Sequence, residues 1–307
     1  MNVVTLLPSA TEIAYALGVD PVGVSHECDH PPAAAEKPSM NRSRVDPEAS
    51  SEEINEQVVA AENDHGGVYE IDVDALDAVD PDLVVTQGIC DVCAVDEILV
   101  ERAVEAIDAN PEILTSDPHS LADLYDDVRR IGAATDRADR AAALVDELRE
   151  RVESVEARAE AAESMPTVAV LDWMDPVMVA GHWVPELVDI AGGDYEMADP
   201  GDRSRPREFA AVREYDPDVL VAAPCGFDLG QTAENAEELA ERDAWSDLTA
   251  VRDGRTYAMD GHNYLNRPGP RLVDSLEHLA GLVHPDLFDA PPANVATAFP
   301  ATAATQR

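Results

Sequence analysis

Apolar residues fall into two kinds of run along this chain. Blocks such as VVTLL at 3–7, LVVT at 83–86, TVAVL at 167–171 and VLVAA at 219–223 are nearly uninterrupted, the pattern of strands covered on both faces. Between them SATEIAYALG, DVDALDAVDP and VPELVDIAGG space their apolar positions three and four apart, which predicts helices. Ser9 or Thr11 is expected to cap the first helix and Gly18 to end it, and Pro185 opens the helix of VPELVDIAGG. PVGVS at 21–25 and VMVAG at 177–181 read as further short strands. Strand and helix in alternation predict parallel sheets.

The pattern occurs twice. AVDPDLVVTQGICDVC at 78–93 and EYDPDVLVAAPCGFD at 214–228 both run from a helix end through Asp-Pro-Asp into an apolar strand, a short loop and a cysteine. Two matched segments about half a chain apart predict two similar lobes. Residues 136–164 separate the two lobes, hold no glycine or proline, and carry Leu144, Leu148, Val152 and Val155 at helical spacing. One unbroken helix there would run about 43 Å at 1.5 Å per residue and would brace the lobes. The expected fold class is α/β, with two Rossmann-like lobes, each holding a parallel sheet, joined by a single long α-helix. The expected division is an α/β lobe over 1–118, a helical connector over 119–164, a second lobe over 165–288 and a flexible tail over 289–307.

Charge changes the picture of the surface. The 307 residues carry a formal net charge of -42, and Lys37 is the sole lysine. The carboxylates are dispersed over every expected helix while apolar residues remain periodic, so the chain reads as a folded, salt-adapted protein rather than a disordered acidic one. Nothing basic is clustered, which argues against nucleic acid or an anionic membrane as partner. No apolar run reaches membrane-spanning length, so no insertion is expected. The opening MNVVTLLPSATEI lacks a basic, apolar leader, from which a cytoplasmic location is expected, or an extracytoplasmic one if the start codon is mis-called. The sequence is silent on oligomeric state.

In parallel α/β sheets ligands bind beyond the carboxyl ends of the strands. The loops expected there are SHECDHPP, TQGICDVC, WMDP, AGHW, PCGFD and DGHNYLNRPGP, and they hold all four cysteines. Cys28, Cys90, Cys93 and Cys225 would make a tetrahedral zinc set, with His26 as a substitute, only if both lobes contributed. Cys90 and Cys93 alone have the spacing of a redox pair, but Asp91 between them opposes a thiolate. As small apolar wall residues the cysteines need no further partner. His26 is a candidate donor to an amide or an axial ligand to cobalt or iron, and Trp173 and Trp183 are candidate walls for a flat macrocycle. Arg267, fenced by Pro268, is a candidate partner for an amide or phosphate. No serine–histidine–acid set or glycine-rich phosphate loop is present, so no enzyme is expected.

VVTLLPSATEIAYALG, VGVSHECDHPP, LDAVDPDLVVTQ, ELVDIAGG and NRPGPRLVDSLEHLAGLVHPD resemble the cobalamin-binding branch of the class III, helical-backbone solute-binding proteins, over about residues 1–288. The resemblance implies non-catalytic binding of cobalamin or another corrinoid between two lobes, for uptake or intracellular hand-over. The ligand residues it implies are His26, Glu27, Cys28, Tyr69, Gln87, Cys90, Cys93, Trp173, His182, Trp183, Cys225, Phe227, His262, Asn263 and Arg267. It also implies docking on an ABC permease through one acid per lobe, at Asp74 and Glu208. Two alternatives stay open. One is a haem or metal-ion carrier on the same fold, using cleft histidines and cysteines with haem or zinc as cargo. The other is a redox module built on Cys90 and Cys93.

Overall fold

The computed structural model describes residues 1–299 apart from 48, 66, 90–94 and 96. They form two compact units. Met1–Ala49, Glu53–Leu148 and Pro268–Pro270 make the first; Ser50–Glu52, Arg149–Arg267 and the chain from Arg271 onward make the second.

From the start the chain runs β1 (Val3–Thr5), α1 (Pro8–Ala16), β2 (Gly23–Val24), β3 (Asn41–Ser43), α2 (Ser51–His65), β4 (Tyr69–Ile71), α3 (Val73–Ala78), β5 (Leu83–Gln87), α4 (Glu97–Val104), β6 (Glu112–Ser116) and α5 (Leu121–Ala134). Four strands make an all-parallel sheet in the order β2-β1-β5-β6. The pair β3–β4 is separate and antiparallel. Val4, Leu6, Met40, Leu76, Val84 and Val100 are buried together in its core. Each such side chain contributes roughly 1.5–3 kcal/mol by leaving water. Helix α1 starts one residue before the expected caps. Pro8 lies in its first turn and the N-cap is Leu7, with no side-chain cap, because proline's fixed φ suits the first helical position. Thr11 instead bonds Leu7 O at 3.1 Å and Thr5 Oγ1 at 2.6 Å. Gly18, at φ 75°, follows the helix as expected.

Helix α6 (Ala138–Ala159) is shorter than the expected brace at both ends. Asp136 sits at φ 56°, a left-handed conformation that aspartate tolerates and a helix does not, so the 22-residue helix begins at Ala138. At 1.5 Å per residue it is about 33 Å long. The boundary between units falls within it, after Leu148.

Then follow β7 (Val168–Trp173), β8 (Met178–Val179), α7 (Val184–Ile190), β9 (Arg205–Pro206), α8 (Phe209–Tyr215), β10 (Val219–Ala222), α9 (Leu229–Glu234), α10 (Glu237–Ala240), α11 (Thr249–Arg252), β11 (Thr256–Met259), α12 (Arg271–Val283) and β12 (Ala296–Ala298). The second sheet has the order β12-β11-β10-β7-β8-β9. Its centre, β11-β10-β7, is parallel, while β8, β9 and β12 run antiparallel to their neighbours. The expected parallel sheet is this centre, and the antiparallel strands are added at its margins. The link from β7 to β8 is too short for a crossover and can only turn back. The tail expected to be flexible from 289 differs. β12 pairs with β11, and Phe299 is buried with its ring 5.6 Å from that of Trp245. Its small residues show no periodicity; the open edge of β11 supplies the order.

The two matched segments lie in separate sheets and repeat each other in detail. Asp80 and Asp216, each before a proline, stand at φ 47° and 45°. The next aspartates clamp the start of the neighbouring strand. Asp82 Oδ2 accepts from Asn2 N at 2.6 Å ahead of β1, and Asp218 Oδ2 accepts from Thr167 N at 2.9 Å ahead of β7.

Candidate functional site

In the first unit the carboxyl ends of β1, β2 and β5 carry Leu6–Pro8, the loop from Ser25 and Gln87. His26 is fixed from three sides. Its backbone N donates to Asn41 Oδ1 at 2.9 Å, its Nδ1 lies 3.1 Å from the same oxygen, and its Nε2 lies 3.0 Å from Glu27 Oε1. Both ring nitrogens thus face oxygens, the arrangement that suits imidazolium. Burial works against that charge, but the Glu27 carboxylate and Asn41 outweigh it and raise the histidine above its ordinary value. The Tyr69 ring lies 5.6 Å from the His26 ring, and Tyr69 and Gln87 are both buried. Asn41 was not legible as a site residue, since MNRSRV carries no motif. It holds His26, and its own Nδ2 is buried with no partner among the described residues.

Cys28 does not line an open face. It is 4 % exposed, packs with Val24, Ala34 and Tyr15, and its Sγ is 3.0 Å from Thr11 Oγ1. Cys90 and Cys93 lie outside the described residues, so the zinc set and the redox pair rest on sequence alone. Among the described residues no three His, Cys, Asp or Glu side chains gather as metal ligands, and Cys28 and Cys225 belong to different units.

In the second unit four loops meet at the carboxyl ends of β7, β10 and β11. Trp173 ends β7 half-buried, with its Nε1 donating to Asp175 O at 3.0 Å and its ring 5.1 Å from Phe227. Phe227 is itself buried, and Cys225 beside it is partly exposed. The π-helical turn Gly261–Leu265 carries His262 and Asn263. A side chain on Gly261 would lie 2.2 Å from Pro224 O, so glycine is what lets this turn reach the loop after β10. Arg267 is only 5 % exposed and donates to His262 Nε2 at 2.9 Å. Asn263 turns inward, its Nδ2 donating to Asp260 Oδ2 at 2.9 Å. Trp183, expected as a wall, is 6 % exposed and donates from Nε1 to Leu265 O at 2.9 Å. His182 before it is held at φ 53°, a strained conformation for a residue with a side chain. Trp173 is the more open of the two aromatic walls.

Asp172, adjacent to Trp173, is a second residue the sequence did not mark. Its Oδ1 is out of solvent and without a partner among the described residues. Burial raises its carboxyl to about 6, against an opposing hydrogen bond from Ser204. A raised value means that the folded chain holds this proton more tightly than the unfolded chain. The contribution is therefore full below the ordinary value and is lost as pH rises through about 6. Asp172→Asn should raise the unfolding free energy measured in urea at pH 8, by about 3 kcal/mol at ~1.4 kcal/mol per pH unit, with little change near pH 3. An equal effect at both pH values would refute this assignment.

Residues 3–262 match the periplasmic binding protein family. An uncharacterized ABC transporter substrate-binding lipoprotein of Bacillus subtilis (strain 168) is 24% identical over 299 residues, covering 94% of this chain and 81% of the relative. A periplasmic heme binding protein from Pseudomonas aeruginosa superposes with a TM-score of 0.72 at 19% identity, over 96% of each chain. The periplasmic vitamin B12 binding protein of Vibrio cholerae does so with a TM-score of 0.66 at 19% identity, over 92% of this chain and 96% of that one. These matches correct the expectation of a cytoplasmic protein, because the family is periplasmic by its description and the curated relative is a lipoprotein, both extracytoplasmic. The opening residues, read for a leader, were no guide to compartment. With two α/β units, parallel central strands and a match over most of its length, the chain belongs to the periplasmic binding protein family, whose members bind solutes without converting them.

Proposed function

We propose that this chain is the substrate-binding component of an ABC transporter and that its ligand is a corrinoid such as cobalamin. The state of the histidines carries the reading. Both ring nitrogens of His26 are engaged with oxygens, and His262 Nε2 accepts from Arg267. Neither arrangement leaves that nitrogen's lone pair for a metal. A ligand gripped by its face and edges, with axial groups of its own, suits such a site, and a corrinoid is one. Trp173 over Phe227 supplies an aromatic face.

One observation favours haem instead. The Tyr69 ring lies 5.6 Å from the His26 ring, and tyrosine is a known type of haem-iron ligand. Relatives of the same fold carry either ligand in their descriptions.

Titrating cobalamin into the protein in molar KCl is expected to quench tryptophan fluorescence and saturate at one ligand per chain. Trp173→Ala should weaken that binding by roughly 1–3 kcal/mol. No saturation with cobalamin, alongside a Soret band from added hemin that Tyr69→Phe abolishes, would transfer the assignment to haem. The proposed permease contacts are Asp74, in the first turn of α3, and Glu208, the N-cap of α8; each is exposed on the helix that precedes a matched strand. Reversing both charges should stop delivery to the permease while leaving ligand affinity unchanged.

A further inference from the structure

Against the expectation that nothing basic is clustered, the segment from Asp202 to Glu208 holds three arginines at alternate positions, 203, 205 and 207. Alternation in extended chain puts them on one side. All three are exposed, and among the described residues no ion pair or hydrogen bond involves their guanidinium groups. What sets them apart from other exposed arginines of the chain is that they stand side by side on one short segment. The three arginines, with Asp202, Val179 and Met197, line one small, partly open depression.

The segment is firmly seated. Arg205 pairs with Val179 in the sheet, and Arg207 N donates to Val177 O at 2.8 Å. Gly181 N donates to Ser204 Oγ at 3.0 Å, and His182 N donates to Asp202 O at 2.5 Å. A side chain on Gly181 would lie 2.2 Å from Asp202 O, so this close approach depends on glycine. The arginines are thereby fastened to the loop that carries His182 and Trp183. Charge along an edge strand discourages pairing with other chains. That role needs neither a depression nor three like charges side by side in a chain rich in acids.

We propose that Arg203, Arg205 and Arg207 form an oxyanion subsite that receives carboxylate or phosphate substituents of the bound ligand. The guanidinium fork matches both groups in two-pronged geometry, and three cations left unpaired within the chain are neutralised by such a ligand. The subsite rests on the reading of the second unit as a face for a tetrapyrrole-like ligand, and it makes acidity of the ligand edge a determinant of selection.

The test compares the full chain with the R203A/R205A/R207A variant in KCl, using four probes. Haem carries two carboxylates and its dimethyl ester none; cobalamin carries a phosphodiester and cobinamide none. The variant is expected to bind haem or cobalamin about tenfold or more weakly, with the ester or cobinamide changed by less than about twofold. Loss with haem alone identifies the carboxylate, and loss with cobalamin alone identifies the phosphate. Equal loss for charged and uncharged probes, or no loss, overturns the subsite. If no probe binds the native chain, the proposed ligand class fails, and calorimetric titration with inorganic phosphate decides the subsite separately. Saturable heat that the variant lacks supports it; no heat from the native chain overturns it.

Discussion

Dialysis from molar KCl into dilute buffer is expected to cost this protein much of its helical circular dichroism, with recovery when KCl is restored. The net charge of -42 acts over about 30 Å at 0.01 M salt and about 3 Å at 1 M. Helix α6 illustrates the strain. Asp146, Glu147, Glu150, Glu153 and Glu156 follow one another along it, and like charges three or four apart oppose a helix. Arg140 pairs with Glu147, but Arg151 pairs outside the helix, with Asp274 and Glu277. Screening removes such repulsion throughout the surface at once. A gain of about 5 kcal/mol between dilute and molar salt would move the thermal midpoint by roughly 10–20 °C in a chain of this order of size. Equal midpoints in 0.1 M and 3 M KCl, at the order of magnitude where screening is complete, would contradict this account.

Trp183→Ala is expected to be the most damaging single substitution at the candidate site. The side chain is 6 % exposed, so its removal should cost about 3–5 kcal/mol in lost burial and cavity. It would also leave the Leu265 carbonyl without the indole donor that now lies at 2.9 Å. Trp183→Phe, which keeps most of the apolar bulk, should cost nearer the ~1–3 kcal/mol of that orphaned acceptor. Because Leu265 ends the turn that carries His262 and Asn263, ligand affinity should fall together with stability. Urea unfolding and ligand titration on the same variants separate the roles. Undiminished stability with abolished binding would return Trp183 to the ligand wall.

The architecture was legible because it is written in repeated, strong signals. The twin Asp-Pro-Asp segments led to two sheets, and gapless apolar blocks marked β1, β5, β7 and β10. What was missed lay in short or featureless stretches. β9 has two residues, and β12 is built from Ala, Thr and Ala. Such strands are set by the edge they join rather than by their own pattern. At the site, residue type was a fair guide to location and a poor one to exposure. Trp183, Arg267 and Cys28 are near the expected strand ends, yet all are buried on partners within the fold, namely Leu265, His262 and Thr11. Asn41 and Asp172 escaped notice because an unpaired buried polar atom is a property of packing.

The two outermost strands of the second sheet bear on how the protein remains dispersed. In concentrated salt, mutual repulsion between copies is almost absent, since fields die within about 3 Å. A bare strand edge would then be free to template stacking of one molecule on another. On one side the edge strand β12 is only three residues long, and on the other the two-residue β9 ends in Pro206, which has no amide hydrogen to offer. Colloidal stability in brine thus depends at these margins on backbone chemistry, which salt does not weaken, rather than on charge.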